Sequence, residues 1–218
     1  MSRTIIRITT LSCIILYGGT FDPIHNGHLS IATAISRLIP NDGVHFLPCK
    51  KPVLKQDAQT TTDNRVAMLK LALEKYPSFC IDNREIERDT PSYMVDTLKS
   101  LHQENTDRHL ILLIGMDAFN SLPQWHKSLS LFDYANILVV NRADTARNTN
   151  KQLQGFITER KVPYQQLPQH KQGKIAFIEL DEIPVSSTEI RNRLKNNQSI
   201  GDLVPEPVAA YIKKNRLY

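Results

Sequence analysis

The sequence predicts an α/β fold built on a doubly wound, mainly parallel sheet with helices on both faces. Short apolar runs alternate along the chain with longer amphipathic segments, and this alternation is typical of strand–helix–strand units. A turn rich in glycine follows the first apolar run and precedes the first amphipathic segment. Such a turn is where α/β proteins bind phosphate, because unsatisfied backbone N–H groups and the helix dipole meet there.

Each element follows from the alternation, in chain order. The predicted strands are 14–17, 44–47, 79–82, 110–114, 137–140 and 175–180. The predicted helices are 29–38, 64–75, 93–104, 187–196 and 205–215. Polar or glycine-containing segments follow three of the strands, at 18–28, 115–117 and 184–188. Because ligands of such sheets bind at the carboxyl ends of the strands, near the reversal of strand order, we expect these segments to converge on one crevice.

The composition is that of an ordinary globular protein. The chain has 218 residues, of which 41% are hydrophobic and 22% charged. That length suits a single domain over 1–218, with 1–10 as an N-terminal tail. No apolar run approaches the roughly 18 residues of a membrane span, so we expect no membrane partner. Arg3 and Arg7 before an apolar stretch also fit a short signal peptide, but 18–22 is no small-residue cleavage site.

The cysteines and the charge distribution favour a cytoplasmic protein that does not bind nucleic acid. Cys13, Cys49 and Cys80 are scattered without CxxC spacing, which argues against a disulfide framework or a metal site. The net charge of +5 resides in 142–174, which we expect to be an irregular basic excursion with a helix near 151–161. This excursion lacks the interleaved aromatic residues that stack bases, so a solvated surface is favoured.

The turn after the first strand carries two histidines. Its residues run Gly18-Gly19-Thr20-Phe21-Asp22-Pro23-Ile24-His25-Asn26-Gly27-His28. The backbone of Gly18 and Gly19, with the N–H and hydroxyl of Thr20, is expected to approach a phosphate closely. His25 and His28 lie one helical turn apart, so both imidazoles reach the same phosphoryl group.

This turn resembles the signature of the HxGH nucleotidyltransferases, and in particular that of the bacterial nicotinate-nucleotide adenylyltransferases. Further stretches fit the same family, at 91–98, 114–117 with Trp125, 186–191 and 203–212. The resemblance implies a Rossmann-like nucleotidyltransferase fold. It also implies transfer of the adenylyl group of ATP to nicotinate mononucleotide in NAD biosynthesis, by in-line attack with release of pyrophosphate and without a covalent enzyme intermediate.

For this chemistry the resemblance implies that His28, His25 and Arg191 act on the phosphates of ATP. Negative charge builds on the α-phosphoryl oxygens during transfer, and fixed donors stabilise that charge without any nucleophile. Arg191 lies one turn into a predicted helix whose Ser187 and Thr188 hydroxyls are expected to cradle the β- and γ-phosphates. The S-x-x-E pattern that opens this helix is also a capping box, and the two interpretations are compatible.

Two acidic residues and one glycine complete the expected ATP site. Gly115 follows a buried strand and permits close approach of adenosine, while Asp117 accepts from ribose hydroxyls or, alternatively, caps a helix. Asp22 is expected either to shape the glycine-rich turn or to cap the helix that follows it. No cluster of carboxylates suggests a metal site built by the protein, so Mg²⁺ is expected to arrive with ATP, held by its phosphates and water.

A second group of residues is expected to bind nicotinate mononucleotide. Ser92 is predicted to cap the helix at 93–104, which leaves the amides of Tyr93 and Met94 to receive a carboxylate. A helix end of this kind favours nicotinate over nicotinamide, which carries no charge. Trp125 either packs as a partly buried core aromatic or stacks on the pyridine ring, as the resemblance implies.

Lys55 aligns with the basic residue that ends a proline-containing loop of the family. It is expected to contact a phosphate of the acceptor nucleotide. Val53 and Leu54 depart from the family pattern just before it, which leaves the conformation of this loop open.

Other functions fit parts of the sequence less well. A related transferase acting on phosphopantetheine, or a cytidylyltransferase, is disfavoured by 91–98 and Trp125, whereas one acting on nicotinamide mononucleotide stays an alternative. A class I tRNA synthetase requires an anticodon-binding region that 218 residues cannot hold. A dinucleotide-binding regulator or oxidoreductase would carry Gly-x-Gly-x-x-Gly after the first strand, where this chain does not. A basic RNA-binding module fits least. The oligomeric state stays open, with a homo-oligomer among the alternatives.

Overall fold

The six strands form one parallel sheet, as the apolar runs predict. The computed structural model describes residues 12–51, 58–141, 151–180 and 184–218. In sheet order the strands are β3, β2, β1, β4, β5 and β6, so the order reverses between β1 and β4. All neighbouring strands are parallel. Their bounds are β1 Cys13–Gly19, β2 Val44–Pro48, β3 Phe79–Ile81, β4 His109–Gly115, β5 Asn136–Asn141 and β6 Ile175–Glu179.

Helices cover both faces of this sheet. Their bounds are α1 Asn26–Leu38, α2 Thr62–Leu73, α3 Arg84–Glu87, α4 Met94–Glu104, α5 Met116–Asn120, α6 Lys151–Arg160, α7 Ser187–Lys195 and α8 Glu206–Asn215. All five predicted helices are present, and so is the one expected near 151–161. Helices α3 and α5 were not predicted, because they are too short to show a helical period. Within the described ranges no helix is long and apolar enough to cross a membrane.

Strand β1 shows why the apolar runs become central strands. Cys13, Ile15 and Tyr17 pack into one hydrophobic core, and Ile14 and Leu16 pack into the other. Side chains of a strand alternate between the two faces of the sheet, so a strand buried on both faces must be apolar at every position. Full burial of each Ile or Leu stabilises the fold by about 1.5–3 kcal/mol.

The two cores divide the helices between the faces. The first core takes its helical residues from α1, α2, α7 and α8, and the second from α4, α5 and α6. The carboxyl ends of β1, β2 and β4 lie at one edge of the sheet, where Gly19 pairs with Pro48 and Tyr17 with Leu113. The segments that follow β1 and β4 therefore start side by side at the carboxyl ends of the strands, at the point where the strand order reverses. Ligands of α/β sheets bind at such a point.

Candidate active site

The segment 18–28, which we call the histidine loop, connects β1 to α1 and places its two histidines in contact. His25 is the N-cap of α1, and its Nδ1 accepts a hydrogen bond from the His28 N–H at 3.3 Å. The two imidazoles stack with ring centroids 3.7 Å apart and an interplanar angle of 25°. Because Nδ1 of His25 accepts, the ring proton of the neutral imidazole lies on Nε2, which makes Nε2 a donor.

Aromatic residues fix the orientation of the His28 ring. The rings of Phe21 and Tyr17 meet it edge-on, with centroids 5.1 Å and 6.0 Å away. Phe21 is 2% exposed and has a φ of 50°, a left-handed conformation that is uncommon for a bulky side chain. Such strained residues persist only where the surrounding packing holds them, and they cluster at functional sites.

Two glycines allow the histidine loop to pack closely against neighbouring segments. A Cβ at Gly18 would lie 2.9 Å from Cε of Met94, and a Cβ at Gly27 would lie 2.9 Å from Cγ1 of Val185. The first contact joins the loop to the N-terminus of α4, and the second joins it to the segment before α7. The histidine loop therefore lies against both α4 and the segment before α7. Of the three segments predicted to converge, 18–28 and 184–188 are in contact, and the packing against α4 was not predicted.

The N-terminus of α7 docks directly on the histidine loop. The Arg191 Nη1 donates to the Asp22 carbonyl at 2.7 Å, and Nη2 donates to Thr188 Oγ1 at 3.2 Å. Ser187 Oγ donates to the Pro23 carbonyl at 3.0 Å. The predicted Ser186 cap is confirmed, because its Oγ accepts from the backbone N–H three residues later at 3.1 Å. These contacts attach the N-terminal turn of α7 and the Arg191 guanidinium to the loop that carries the two imidazoles.

The capping box at this helix is half formed. Glu189 donates its backbone N–H to the Ser186 hydroxyl, but its carboxylate pairs with Arg193 Nη2 at 2.8 Å instead of returning to the cap. The ion pair spans one helical turn, which is the favourable spacing for opposite charges.

Asp22 holds the loop together and does not cap α1, so that alternative is wrong. The residue is 4% exposed; its Oδ2 accepts from the Gln59 N–H at 2.7 Å, and its Oδ1 accepts from the Tyr218 hydroxyl at 2.7 Å. With both oxygens engaged, the capping role falls to His25. Burial raises the pKa of Tyr218 well above its ordinary value, and the hydrogen bond to Asp22 and its negative charge raise it further.

Arg65 was not predicted as a site residue, and it is almost fully buried between the segments that follow β1 and β2. Its Nη1 donates to the Thr20 carbonyl at 2.7 Å, while Nη2 donates to the Lys50 carbonyl at 3.1 Å and to Thr62 Oγ1 at 3.0 Å. A signal existed, since Arg65 occupies the apolar face of α2 three residues before the buried Met68. A charged residue at such a position is rarely buried without partners.

The end of α4 differs from the prediction in one respect. Tyr93, and not Ser92, is the N-cap, and no side chain caps the helix. Ser92 Oγ instead accepts from the Lys50 N–H at 3.2 Å, because Tyr93 still has an extended backbone and the helix starts after it. The Tyr93 N–H donates to the Pro91 carbonyl at 2.8 Å, which leaves Met94 at the first helical position.

Trp125 lies on the same side of the sheet as this helix end. It follows a short 3-10 turn, is partly buried, and donates from Nε1 to Ser121 Oγ at 3.3 Å. Tyr93, Met94 and Trp125 all pack against the second core. The ring of Tyr93 also stacks on exposed His126, with centroids 4.3 Å apart. Tyr93, Trp125 and the N-terminus of α4 thus lie over the same core, and Met94 of α4 lies against Gly18 of the histidine loop.

The remaining predicted residues lie at the end of β4 or outside the described ranges. Gly115 is exposed and is the N-cap of α5, and a Cβ added there would meet no atom within 4 Å. Asp117 is exposed in the first turn of α5, so the alternative that it caps this helix is wrong. Lys55 falls in 52–57, outside the residues that the structure describes.

The chain is similar to known proteins over nearly its whole length. The family described as cytidylyltransferase-like matches residues 16–193. A probable nicotinate-nucleotide adenylyltransferase of Legionella pneumophila (strain Lens) is 42% identical over 207 residues, which is 94% of this chain and 98% of the relative. One from Pseudoalteromonas atlantica is 39% identical over 204 residues, covering 93% of each chain.

Solved structures support the fold. A Plasmodium falciparum nicotinic acid mononucleotide adenylyltransferase, complexed with NaAD, superposes with a TM-score of 0.72 at 20% identity, covering 95% of this chain and 97% of that one. A putative nicotinate-nucleotide adenylyltransferase of Vibrio parahaemolyticus gives a TM-score of 0.62 at 14% identity, covering 93% of each. The resemblance of the motifs and the predicted nucleotidyltransferase fold are thereby confirmed. Since relatives near 40% identity match almost end to end, the chain belongs to the nicotinate-nucleotide adenylyltransferases of the cytidylyltransferase-like family.

Proposed function

We propose that this chain transfers the adenylyl group of ATP to nicotinate mononucleotide, giving nicotinate adenine dinucleotide and pyrophosphate as a step of NAD biosynthesis. The docking of α7 on the histidine loop supports the proposal, because it joins the loop that carries both imidazoles to the guanidinium of Arg191 and the N-terminal turn of α7. Anionic phosphates bind such donor sets. The names of the relatives supply the acceptor nucleotide.

The reaction needs positioning and charge stabilisation more than covalent work. An oxygen of the acceptor phosphate attacks the α-phosphorus of ATP and forms a new P–O bond. The bond from the α-phosphorus to the bridging oxygen breaks, and pyrophosphate leaves with the electron pair. We assign His28 and His25 to the α-phosphoryl oxygens, where charge builds in the transition state. No covalent enzyme intermediate forms.

Arg191 is assigned to the departing pyrophosphate. A guanidinium has five N–H donors, and two contacts hold this one to Asp22 and Thr188. The remaining donors of Arg191 then serve the β- and γ-phosphates with little loss of side-chain entropy. The Ser187 hydroxyl already donates to Pro23, so its backbone N–H and that of Thr188 are the better phosphate donors.

The rest of the ATP site is assigned to the ends of β1 and β4. Gly18, Gly19 and Thr20 offer backbone to the phosphates. The open space beside Gly115 accommodates adenosine, and the exposed Asp117 carboxylate accepts from its ribose hydroxyls.

Nicotinate mononucleotide is assigned to the surface beside α4. The Tyr93 amide already donates to Pro91, so we assign the substrate carboxylate to the Met94 amide at the start of α4. The ring of Trp125 stacks on the pyridine ring, and Tyr93 flanks it. Lys55 is assigned to the acceptor phosphate because it aligns with the basic residue that ends the proline-containing loop of the family.

The described carboxylates at this edge of the sheet do not fit a metal site built by the protein. Asp22 is buried and holds Gln59 and Tyr218, while Asp117 stands exposed after β4. We therefore propose that Mg²⁺ enters with ATP, bound by phosphates and water. The free thiols of Cys13, Cys49 and Cys80 are consistent with a cytoplasmic setting.

Pyrophosphate release tests the proposal. The purified chain is incubated with ATP and Mg²⁺ plus nicotinate mononucleotide, nicotinamide mononucleotide or phosphopantetheine. We expect release with nicotinate mononucleotide at a kcat/KM at least about tenfold above that with either alternative. Equal values for the two mononucleotides would remove the acid preference, and release only with phosphopantetheine would assign a different acceptor.

A further inference from the structure

The buried guanidinium of Arg65 joins two loops that the sequence keeps far apart. The residue is 1% exposed and donates to the carbonyls of Thr20, after β1, and Lys50, after β2. Among the residues that the structure describes, no carboxylate forms an ion pair with it, and its Nε has no hydrogen-bond partner. A buried charge without a counterion is costly, so its retention calls for a specific local role.

On the ATP side, Arg65 fixes the orientation of a peptide in the histidine loop. In a planar trans peptide the C=O and the following N–H point in opposite directions. The Thr20 carbonyl points to Arg65, so the Phe21 N–H points away from Arg65. Arg191, on α7, likewise donates a hydrogen bond to the Asp22 carbonyl. Two guanidinium groups therefore clamp the stretch that leads into His25.

On the acceptor side, Arg65 acts through Lys50. The Lys50 carbonyl accepts from Arg65, and the Lys50 N–H donates to Ser92 Oγ at 3.2 Å. Lys50 Nζ also donates to the Arg88 carbonyl at 2.9 Å. Ser92 immediately precedes the N-terminus of α4, to which the nicotinate nucleotide is assigned above. One continuous set of hydrogen bonds thus runs from the histidine loop, through Arg65, to the acceptor surface.

We propose that Arg65 is a positioning residue that sets the spacing between the histidine loop and the surface at the start of α4 to which nicotinate mononucleotide is assigned. The inference rests on the proposed function, since it concerns the alignment of the attacking phosphate with the α-phosphorus. Arg65 is buried behind both loops and does not touch substrate. Its loss lets the loops shift relative to one another, and small misalignments of reacting groups lower the rate far more than they lower binding.

Kinetics of Arg65→Met and Arg65→Lys, with Arg84→Met as the matched control, test this role. Arg84 also makes several ionic contacts, at 2.8 Å to Asp82 and 2.9 Å to Glu104, but Glu104 is the last residue of α4, at the end opposite Met94. We expect Arg65→Met to lower kcat by about 10- to 100-fold, while the KM of each substrate and the Kd of an unreactive ATP analogue change by less than about threefold. Arg65→Lys keeps the charge and should recover part of the loss. Arg84→Met should lower the melting temperature and leave kcat within about twofold of wild type.

Several outcomes overturn the proposal. A folded Arg65→Met protein with kcat within about twofold of wild type, or with its whole loss in KM, contradicts a positioning role. Should Arg65→Met fail to fold, Arg65→Lys carries the same test, and full activity in that variant also contradicts the clamp. The comparison is made with whichever acceptor the wild type uses, so absence of activity on nicotinate mononucleotide in the wild type counts against the proposed function alone.

Discussion

The imidazole of His25 caps the helix that carries His28, and the two rings stack 3.7 Å apart. One residue therefore contributes both to the start of α1 and to the arrangement of the proposed phosphate donors. Most helix N-caps are Ser, Thr, Asp or Asn, so a histidine at this position indicates that its side chain has a second role besides capping. This relationship separates the expected effects of the two histidines.

Replacing His28 should damage the chemistry and spare the fold. The His28 side chain is not the cap, so His28→Ala leaves the hydrogen bond from its backbone N–H to His25 in place. We expect turnover to fall by about 10²- to 10³-fold, the loss of one transition-state donor, measured as steady-state pyrophosphate release. Retention of more than about a third of the wild-type rate would falsify the assignment.

Replacing His25 should damage both stability and turnover, and two variants separate these effects. His25→Ala removes the cap and should lower the free energy of unfolding by about 1 kcal/mol, measured by urea denaturation. His25→Asn supplies an equivalent cap, so it should restore stability without restoring turnover. Recovery of full activity in His25→Asn would show that His25 serves α1 only.

Tyr218 should matter to stability because of the buried carboxylate it serves. Tyr218→Phe leaves Oδ1 of Asp22 buried without its donor, and we expect a loss of about 1–3 kcal/mol in the free energy of unfolding. Tyr211→Phe is the matched control. Its hydroxyl donates to Oδ1 of Asn64 at 2.9 Å; Asn64 is neutral and half-buried, whereas Asp22 is an almost fully buried carboxylate, so a smaller loss is expected. Equal losses of unfolding free energy in the two variants would contradict the claim that the buried Asp22 carboxylate depends on the Tyr218 hydroxyl.

The sheet could be predicted from sequence because its strands are buried on both faces. β1 and β4 are apolar at nearly every position, and such runs are recognisable without any knowledge of the fold. The longer helices α1 and α4 show a clear apolar period, whereas α3 and α5 are too short to show one. Helix caps were less predictable. Ser186 follows the local rule, but the Ser92 hydroxyl accepts a hydrogen bond from the Lys50 N–H, 42 positions away, and does not cap α4.

The same distinction divides the candidate site. The histidine loop and Ser187 could be named from local motifs, because glycine turns and helix starts are encoded by neighbouring residues. The role of Arg65 depends on a carbonyl 45 positions away, and that of Asp22 on a hydroxyl 196 positions away. Contacts between such distant positions exist only once the sheet has ordered the loops, so no local pattern reports them.

His45 should make stability depend on pH. Burial lowers the pKa of His45 below its ordinary 6.5; the Asp82 carboxylate opposes the shift, and the Arg108 and Arg84 guanidinium groups add to it. Below pH 6.5 His45 therefore binds a proton more readily in the unfolded chain than in the folded chain. The free energy of unfolding falls as the pH drops below 6.5.

We expect His45→Gln to reduce this loss between about pH 7 and about pH 5, measured by denaturant titration at each pH. Comparing variant with wild type cancels the other titrating groups. Parallel stability curves for the two proteins over that range would contradict the shift at His45.

The proposed transfer is tested most directly by following the phosphorus atoms of ATP. The chain is incubated with nicotinate mononucleotide and ATP labelled at either the α- or the γ-phosphate. We predict that the α label appears in nicotinate adenine dinucleotide and the γ label in pyrophosphate, with no label on the protein when ATP is supplied alone. Failure of the α label to enter the dinucleotide, or its covalent attachment to the protein, would contradict direct in-line adenylyl transfer.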